Sequence, residues 1–405
     1  MATSPCPYCY QSVDLGDYKF MCSGPSKPGR NSCKEIDPQD PKVNGTPRSK
    51  LTGYMTPERP CYVSHRATFT RKLSGCPNCG SNPQIRVCTH CDTPLDSDFF
   101  SGRSPLIGLV GAKYSGKSVY VGVLHRYLRE VVAPRFRSSI VFGAESSGSR
   151  QVEGNSNGMY RKGGELPLPT SEQAGRRDGR QPYVMRWVRA GAGKKLVSVM
   201  LSFYDSAGED LRNAKSASDQ AYLGAAEGLV VLIDPFQLPG NRDTARTKFG
   251  YLDDVDAVVE HDAIRTLSVI TDYLRAAHDT KSTERVKVPL AVAFTKFDAF
   301  YNTLPASHPL RQTPPDGPYY YEDDGLSMHE HVKALLEQWG GSEITRYLEL
   351  NYESFRLFGV SALGAEPDYA TNAVNPQGVR PFRVADPILW LLAHQGFLYT
   401  MRETA

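Results

Sequence analysis

The pattern of polar and apolar positions divides the chain near residue 104. Before it, short strand-like stretches flank a polar, Pro-rich segment at residues 38–60. After it, apolar β-prone runs alternate with helical spacing, a pattern typical of an α/β protein whose mostly parallel sheet lies between two layers of helices. The predicted strands cover residues 106–110, 182–190, 194–205, 228–235, 288–298 and 355–364. Helices are predicted after residue 117, at 257–277 and at 386–401.

Three polar stretches interrupt this pattern. Residues 145–180 are rich in Gly and Ser, residues 236–254 precede the second predicted helix, and residues 301–325 are rich in Pro and Tyr. Long connections of this kind either bind a partner or are tolerated surface insertions. The sequence leaves both interpretations open for the last two stretches.

The first strand of the α/β region leads into a glycine-rich loop, GAKYSGKS, at residues 111–118. This loop fits the phosphate-binding pattern G-x-x-x-x-G-K-[ST], and the alternative is a plain Gly-rich turn. Gly111 and Gly116 let successive backbone N–H groups face one anion, and the following helix adds its positive end. We expect Lys117 to reach the β- and γ-phosphates and Ser118 to hold Mg²⁺. The predicted nucleotide contacts in this loop are Gly111, Ala112, Lys113, Tyr114, Ser115, Gly116, Lys117, Ser118 and Val119.

Two further segments are predicted to sense the γ-phosphate. The strand at 194–205 ends in D-x-x-G, where Asp205 would complete the Mg²⁺ shell and the N–H of Gly208 would bond the γ-phosphate. Thr170 lies between the first helix and the second strand. Guanine-nucleotide switches carry there a Thr that joins Mg²⁺. The alternative is that Thr170 is an ordinary loop residue.

The last two strands carry a pattern that predicts recognition of a guanine base. Residues 295–298 read TKFD and match [NT]-K-x-D. Asp298 would accept hydrogen bonds from N1–H and the 2-amino group of guanine, and the Lys296 stem would pack over the ring. The alternative is a helix-capping Asp. Ser361-Ala362 falls where a backbone N–H would reach guanine O6. The predicted base contacts are Thr295, Lys296, Asp298, Ser361, Ala362 and Leu363.

All nine cysteines precede the phosphate loop, which argues for metal sites in a reducing compartment and against scattered disulfides. Two C-x₂-C knuckles close together predict one tetrahedral Zn²⁺ site, and an earlier knuckle with two irregular partners predicts another. The predicted second site is Cys76, Cys79, Cys88 and Cys91. The predicted first site is Cys6, Cys9, Cys22 and Cys33, although Cys61 could replace Cys33.

These assignments predict four regions. They are a first zinc ribbon at residues 1–36, a linker at 37–72, a second zinc ribbon at 73–100 and a nucleotide domain at 104–400. With four cysteine ligands and no open position, the zinc would supply folding energy to pieces too small to form their own core.

Composition narrows the classes of partner. A net charge of +3 over 405 residues, with no dense Lys/Arg stripe, disfavours a nucleic-acid-acting zinc protein and favours docking to proteins. No apolar run of about 18 residues predicts a membrane span. The N-terminus has neither a basic nor an apolar signal region, so we expect a cytoplasmic protein.

In their order, GAKYSGKS, Thr170, DSAG, TKFD and SAL resemble the motifs of translation-factor-type (TRAFAC) GTPases over residues 104–400. Cysteine knuckles ahead of VGAKYSGKSVY, FYDSAGEDL and LIDPFQLPG resemble the bacterial double-GTPase type 2 family. The resemblance implies a soluble GTPase with GTP or GDP, Mg²⁺ and Zn²⁺ as cofactors. It also implies work beside a second GTPase and associated proteins, in gene clusters proposed to act against invaders.

Two residues depart from the familiar pattern. Glu209 stands where Ras-like enzymes carry the Gln that orients the attacking water. A carboxylate there could orient water but adds negative charge beside the phosphates, so we expect slow hydrolysis without a partner. Lys113 occupies a position that is often Gly, where it either leans over the γ-phosphate as an internal arginine-finger substitute or points into solvent. The predicted catalytic residues are Lys117, Glu209 and Lys113.

Three functions therefore compete. The first is a GTP-binding switch with Mg²⁺-dependent hydrolysis, regulated by a protein partner that is a second GTPase or an activator. The second is a nucleotide-binding scaffold that hydrolyses little and docks a protein through its zinc ribbons. The third is a generic P-loop ATPase or phosphotransferase, which TKFD and SAL disfavour.

Overall fold

The computed structural model describes residues 3–15, 17–21, 62–66, 85–91, 93–95, 99, 105–111, 114–142, 147–167, 182–191, 196–203, 217–249 and 263–402. None of the helices within these ranges is both long and apolar enough to cross a membrane. The fold is mixed α/β, with a small N-terminal β region and a seven-stranded, mostly parallel central sheet.

The described part of the N-terminal region contains five short strands. They are β1 (Thr3–Pro5), β2 (Ser12–Asp14), β3 (Asp17–Met21), β4 (Tyr62–Arg66) and β5 (Ile85–Val87). β1 and β2 form an antiparallel hairpin, and β3 lies between β4 and β5 in a second antiparallel sheet. The second sheet therefore combines strands from the predicted first ribbon, linker and second ribbon. The division at 1–36, 37–72 and 73–100 stays a prediction.

The remaining strands build the central sheet and one small pair. They are β6 (Leu106–Gly111), β7 (Ser138–Phe142), β8 (Tyr183–Ala190), β9 (Leu196–Phe203), β10 (Gly228–Ile233), β11 (Leu290–Phe294), β12 (Tyr320–Tyr321), β13 (Phe355–Gly359) and β14 (Thr400–Met401). The central order is β13-β11-β10-β6-β9-β8-β7, with β12 and β14 paired separately. β13, β11, β10, β6 and β9 are parallel, whereas β8 and β7 add antiparallel neighbours at one edge.

Sequence and position in the sheet agree for the central strands. Every residue of β6, β10 and β11 is buried. A parallel strand that is covered on both faces requires a nearly continuous apolar run, which is the pattern seen at these three places. Strand order reverses direction at β6, with β9 on one side and β10 on the other. In open α/β sheets, ligands bind at such a switch point, beyond the carboxyl ends of the strands.

Eight α-helices of at least eight residues are described. They are α1 (Lys117–Tyr127), α2 (Ser147–Tyr160), α3 (Ala217–Ala225), α4 (Arg242–Phe249), α5 (Ala263–Ala277), α6 (Glu322–Gln338), α7 (Ser342–Asn351) and α8 (Asp386–His394). α1 continues through a π-helical turn, Leu128–Val132. The helix predicted after residue 117 is confirmed.

Two connections and the last helix differ from the prediction. The stretch 236–254 contains α4, and the stretch 301–325 contains β12 and ends inside α6. The last helix was predicted to run to residue 401 but ends at His394. Gly396, in left-handed backbone with φ of 71°, follows that end and turns the chain toward β14.

Candidate nucleotide site and cysteine cluster

The glycine-rich loop joins β6 to α1 at the switch point of the sheet. Tyr114 and Gly116 adopt left-handed backbone, with φ of 64° and 73°, on either side of the buried Ser115. Alternation of this kind turns successive N–H groups toward one side and forms a concave anion site. A Cβ on Gly111 would lie 2.5 Å from Ser115 Oγ and 3.2 Å from Leu232 Cβ, so a side chain there would displace Ser115. Lys117 begins α1 and is largely buried, which places a cation at the helix N-terminus.

A side-chain hydrogen bond ties this loop to the end of β11. Thr295 Oγ1 lies 2.8 Å from the Ser115 carbonyl oxygen and donates to it, and the Ile233 carbonyl oxygen is 3.3 Å away. Thr295 is buried, so this hydroxyl requires a partner. The first residue of TKFD therefore contacts the phosphate loop directly, across 180 positions of sequence.

A second hydrogen bond joins the other two base-recognition segments. Ser361 Oγ, after β13, donates to Asp298 Oδ1 over 2.5 Å and accepts the N–H of Gly364 over 2.7 Å. Burial raises the pKa of Asp298, while the bond from Ser361 opposes that rise. Because the Gly364 N–H holds the Ser361 hydroxyl that donates to Asp298, the segment after β13 orients the Asp298 carboxylate.

Lys296 makes a contact that sequence reasoning missed. Its backbone is left-handed, with φ of 52°, and Nζ lies 2.6 Å from Oδ2 of the fully buried Asp234. Asp234 Oδ1 also accepts the N–H of Phe236 over 3.0 Å. The expected packing of the Lys296 stem over a base stays a prediction. The available signal was an Asp placed directly after the apolar strand β10, at the same edge as TKFD.

The structure thus brings the described parts of the site together at the carboxyl edge of the sheet. Ser118 and Val119 lie in the first turn of α1, and Ala362 and Leu363 follow β13. Six predicted residues lie outside the described ranges, and their roles stay predictions: Ala112, Lys113, Thr170, Asp205, Gly208 and Glu209.

The cysteines pair differently from the prediction. The ligand atoms of Cys6, Cys9, Cys88 and Cys91 all lie within 4.8 Å of one another. The first knuckle therefore combines with the last one, which corrects the partition of these four residues between two sites. The other cysteines lie outside the described ranges, and their pairing stays a prediction: Cys22, Cys33, Cys61, Cys76 and Cys79.

The spacing of the four sulfurs fits a tetrahedral metal. Sγ of Cys6 and Cys91 are 3.9 Å apart, and Sγ of Cys9 and Cys88 are 3.7 Å apart. Zn–S bonds of about 2.3 Å at tetrahedral angles give S···S distances of about 3.8 Å, whereas a disulfide would need about 2.05 Å. The N–H of His90 points to Cys88 Sγ at 3.4 Å, a bond that favours a thiolate.

Protonation of the four sulfurs is interdependent. Burial raises the pKa of Cys6, whereas hydrogen bonding from Cys6 and Cys9 lowers the pKa of Cys88. Four buried thiolates repel one another unless a cation lies between them. One Zn²⁺ held by these four side chains would satisfy all of them.

No model of a protein family matches the chain. One curated protein, "Putative ESX-1 scaffolding and assembly protein SaeC" of Mycolicibacterium smegmatis, is 26% identical over 423 residues. That alignment covers 98% of this chain and 100% of the relative.

Among solved structures, the chain is similar to GTPase-like domains. The Ski7 GTPase-like domain of S. cerevisiae, bound to GDP and inorganic phosphate, is 14% identical with a TM-score of 0.35, over 72% of this chain and 50% of that one. A bacterial selenocysteine-specific elongation factor, EF-Sec, is 12% identical with a TM-score of 0.26, over 72% of this chain and 29% of that one. The chain spans half or less of the length of these two proteins.

Proposed function

We propose that this protein binds guanine nucleotides at the carboxyl edge of its central sheet. The single observation that carries the proposal is the chain of contacts from Ser115 through Thr295 to the Asp298–Ser361 pair. It joins an anion-binding loop to an oriented carboxylate through one strand end. Guanine nucleotides need both features in one ligand site, because the phosphates are anionic and the base presents two adjacent N–H donors.

The carboxylate gives the discrimination. Asp298 accepts from N1–H and the 2-amino group of guanine, whereas adenine has an acceptor at N1 and no 2-amino group. A buried acceptor left without its donor costs about 1–3 kcal/mol. Adenine nucleotides should therefore bind about 5- to 150-fold more weakly, which separates this function from that of a generic P-loop ATPase.

We further propose slow GTP hydrolysis that a protein partner accelerates. Lys117 and the loop N–H groups would stabilise charge that develops on the phosphates. Mg²⁺, held by Ser118 with Asp205 and Thr170, would neutralise charge on the β- and γ-phosphates. Glu209 would orient water poorly because its charge opposes that of the phosphates. Lys113 would supply a local cation.

A protein-docking scaffold with little hydrolysis is the second candidate. The observation that favours it is the end-to-end alignment with the M. smegmatis protein named for scaffolding and assembly. The resemblance to double-GTPase proteins favours a second GTPase as the docked partner, with a role against invaders. In both candidates the cysteine cluster would hold a structural Zn²⁺ and nucleotide would control the interaction.

Competition among nucleotides that carry different bases tests the first proposal. A fluorescent GTP analogue is bound to the full chain with Mg²⁺ and competed with GTP, GDP, ATP and xanthosine triphosphate. We expect GTP and GDP to compete and ATP to fail. Asp298→Asn should shift the preference to xanthosine triphosphate, since the Asn amide can donate to the 2-oxo group of xanthine. Asp243→Asn, at an exposed position of α4, is the control. Equal competition by ATP would sink the assignment.

Single-turnover hydrolysis then separates the two candidates. Slow release of phosphate that rises when a partner is added supports the switch. Tight GTP binding with no phosphate release, even with the partner present, supports the scaffold. A fast rate without any partner contradicts the assigned role of Glu209, and a normal rate in Lys113→Ala removes that lysine from catalysis.

A further inference from the structure

The cysteine cluster is joined to the central sheet through the turn that carries its first knuckle. Ser202 in β9 donates from Oγ to the Pro7 carbonyl oxygen over 2.9 Å, and Tyr10 Oη lies 3.3 Å from the same Oγ. Because a serine hydroxyl has one hydrogen, which Pro7 accepts, Tyr10 must donate to Ser202. All the atoms of this junction belong to buried residues, so the bonds form away from competing water.

A second tyrosine continues the path to the strand that leads into the phosphate loop. The rings of Tyr10 and Tyr222, in α3, have centroids 5.0 Å apart. Tyr222 Oη accepts the N–H of Leu109 in β6 over 2.5 Å and lies 3.0 Å from the carbonyl oxygens of Leu109 and Ser202. The register of β6 with β9 ends with Gly108 opposite Ser202 and Leu109 opposite Phe203, so this hydroxyl bridges the two strands across their last two pairs.

The bridge lies close to two segments that the proposed function uses. Leu109 is two residues before Gly111, which starts the phosphate loop. Ser202 is three residues before Asp205, the proposed Mg²⁺ ligand. Gly108 makes room for the bridge, because a Cβ there would lie 3.0 Å from Tyr222 Oη. Three side chains thus connect the metal-binding knuckle to the backbone of both segments.

The backbone at Tyr10 indicates that this contact is specifically maintained. Tyr10 directly follows Cys9 and is left-handed, with φ of 64°. Glycine adopts that conformation without cost, whereas a bulky residue is strained there. Strained residues persist where the surrounding structure holds them, and they concentrate at functional sites. Here the holding contacts are the ones to Ser202 and Tyr222, which glycine could not make.

We propose that Tyr10, Ser202 and Tyr222 are positioning residues that couple metal binding in the cysteine cluster to nucleotide binding. A thiophilic divalent ion on Cys6, Cys9, Cys88 and Cys91 fixes the knuckle, and the knuckle fixes the ends of β6 and β9. The metal therefore raises the affinity for nucleotide. By thermodynamic reciprocity, nucleotide raises the affinity for metal by the same factor. The coupling rests on the proposed nucleotide site.

The test measures both directions on the full chain with Mg²⁺ present. Dissociation constants for fluorescent GDP are compared between zinc-loaded protein and protein treated with a chelator that binds zinc and spares Mg²⁺. Zinc release to a colorimetric chelator is followed with and without saturating GDP. We expect removal of zinc to weaken GDP about tenfold, and GDP to tighten zinc binding by the same factor.

Variants that still bind the metal test whether these side chains carry the coupling. Tyr10→Phe retains the ring and removes the hydroxyl, and Ser202→Ala removes its partner. Each variant should keep the zinc content and the thermal midpoint of the cysteine module. Its affinity for GDP should fall, and the factor by which zinc and GDP strengthen each other's binding should fall toward one. The double variant should bind GDP no more weakly than the single variant with the larger loss of affinity. Tyr352→Phe is the matched control, since its hydroxyl pairs with Thr271 2.8 Å away and Tyr352 precedes β13, at the edge of the sheet opposite the candidate nucleotide site.

The outcomes are distinguishable. If wild-type protein does not bind guanine nucleotides, the proposed function fails. If it binds them with equal affinity in the presence and absence of zinc, the coupling is overturned and the proposed function stands. An unchanged reciprocal factor in Tyr10→Phe and Ser202→Ala overturns the assigned residues, as does an equal loss in Tyr352→Phe.

Discussion

The proposed nucleotide site and the cysteine cluster are organised by different sources of free energy. The proposed nucleotide site lies at the edge of a seven-stranded sheet whose central strands are fully buried, so its loops start from a rigid base. The cysteine cluster is supported by one two-stranded and one three-stranded sheet. Strand pieces of that size are marginal in water. The sheet should therefore hold its shape without nucleotide, whereas the small module should depend on metal.

Loss of one thiolate should produce the largest difference in stability between the two regions. Cys88→Ser removes one of four ligands, which should cost on the order of 4 kcal/mol, a factor of about 1,000 in zinc affinity. We expect zinc content to fall by one equivalent per chain and the N-terminal strands to lose protection from hydrogen exchange, while the central strands keep theirs. Ser12→Ala, at an exposed position of β2, is the control. Equal zinc in Cys88→Ser and wild type would refute the cluster.

Acid should destabilise the two regions for different reasons. His125 in α1 is buried against Tyr183, and burial lowers its pKa to about 4. An unfolded His binds a proton below about pH 6.5, so the free energy of unfolding should fall between pH 6.5 and 4, by up to about 3 kcal/mol. Urea unfolding of the central sheet at several pH values checks this.

The cysteine cluster also loses metal in acid as its thiolates are protonated, so zinc release must be followed separately. His125→Gln should flatten the pH dependence of the central sheet and leave the pH of zinc release unchanged. An unchanged slope in this variant would remove His125 as the cause.

Loss of the loop lysine should affect the nucleotide site alone. Lys117→Ala should weaken GDP and GTP roughly 10- to 100-fold, because a charge-assisted contact to phosphate is lost. Zinc content should not change. Lys281→Ala, at an exposed position, is the control. Normal nucleotide binding in Lys117→Ala, measured by fluorescence competition, would show that the loop does not bind phosphate.

The smallest effect is expected where the sheet already holds the loop. Thr295→Val removes the bond to the Ser115 carbonyl oxygen, which contributes about 1 kcal/mol, so GDP should weaken roughly fivefold. Thr295→Ser should restore most of the affinity because it keeps the hydroxyl. Equal affinity for GDP in the Val and Ser variants would show that the hydrogen bond to the Ser115 carbonyl oxygen does not order the loop.

Sequence reasoning succeeded where a motif adjoins the strand that positions it. GAKYSGKS follows β6, TKFD follows β11 and SAL follows β13. Since the carboxyl ends of parallel strands meet at one edge, the apolar runs were enough to bring these motifs together. Asp234 was missed because an Asp after an apolar strand looks like any strand end until its partner Lys296 is known.

Sequence reasoning failed where pairing is decided at long range. The C-x₂-C knuckles are chemically equivalent, and proximity in sequence favoured joining Cys76 and Cys79 to Cys88 and Cys91. The fold instead places Cys6 opposite Cys91, across 85 positions. The predicted final helix is too long because Leu398 and Met401 continue its apolar spacing beyond the turn at Gly396.

The pairing of the first and last knuckles also has a topological consequence. Metal bound there would close the chain between Cys9 and Cys88, 79 positions apart, into a ring. Closing a loop of this length restricts the unfolded chain by about 4–5 kcal/mol in the entropic account of a crosslink. Doubling the loop would add only about 0.6 kcal/mol, so the ring tolerates long insertions. A single proteolytic cut within the ring would leave two pieces held together by the metal. They would separate only after a chelator removes that metal.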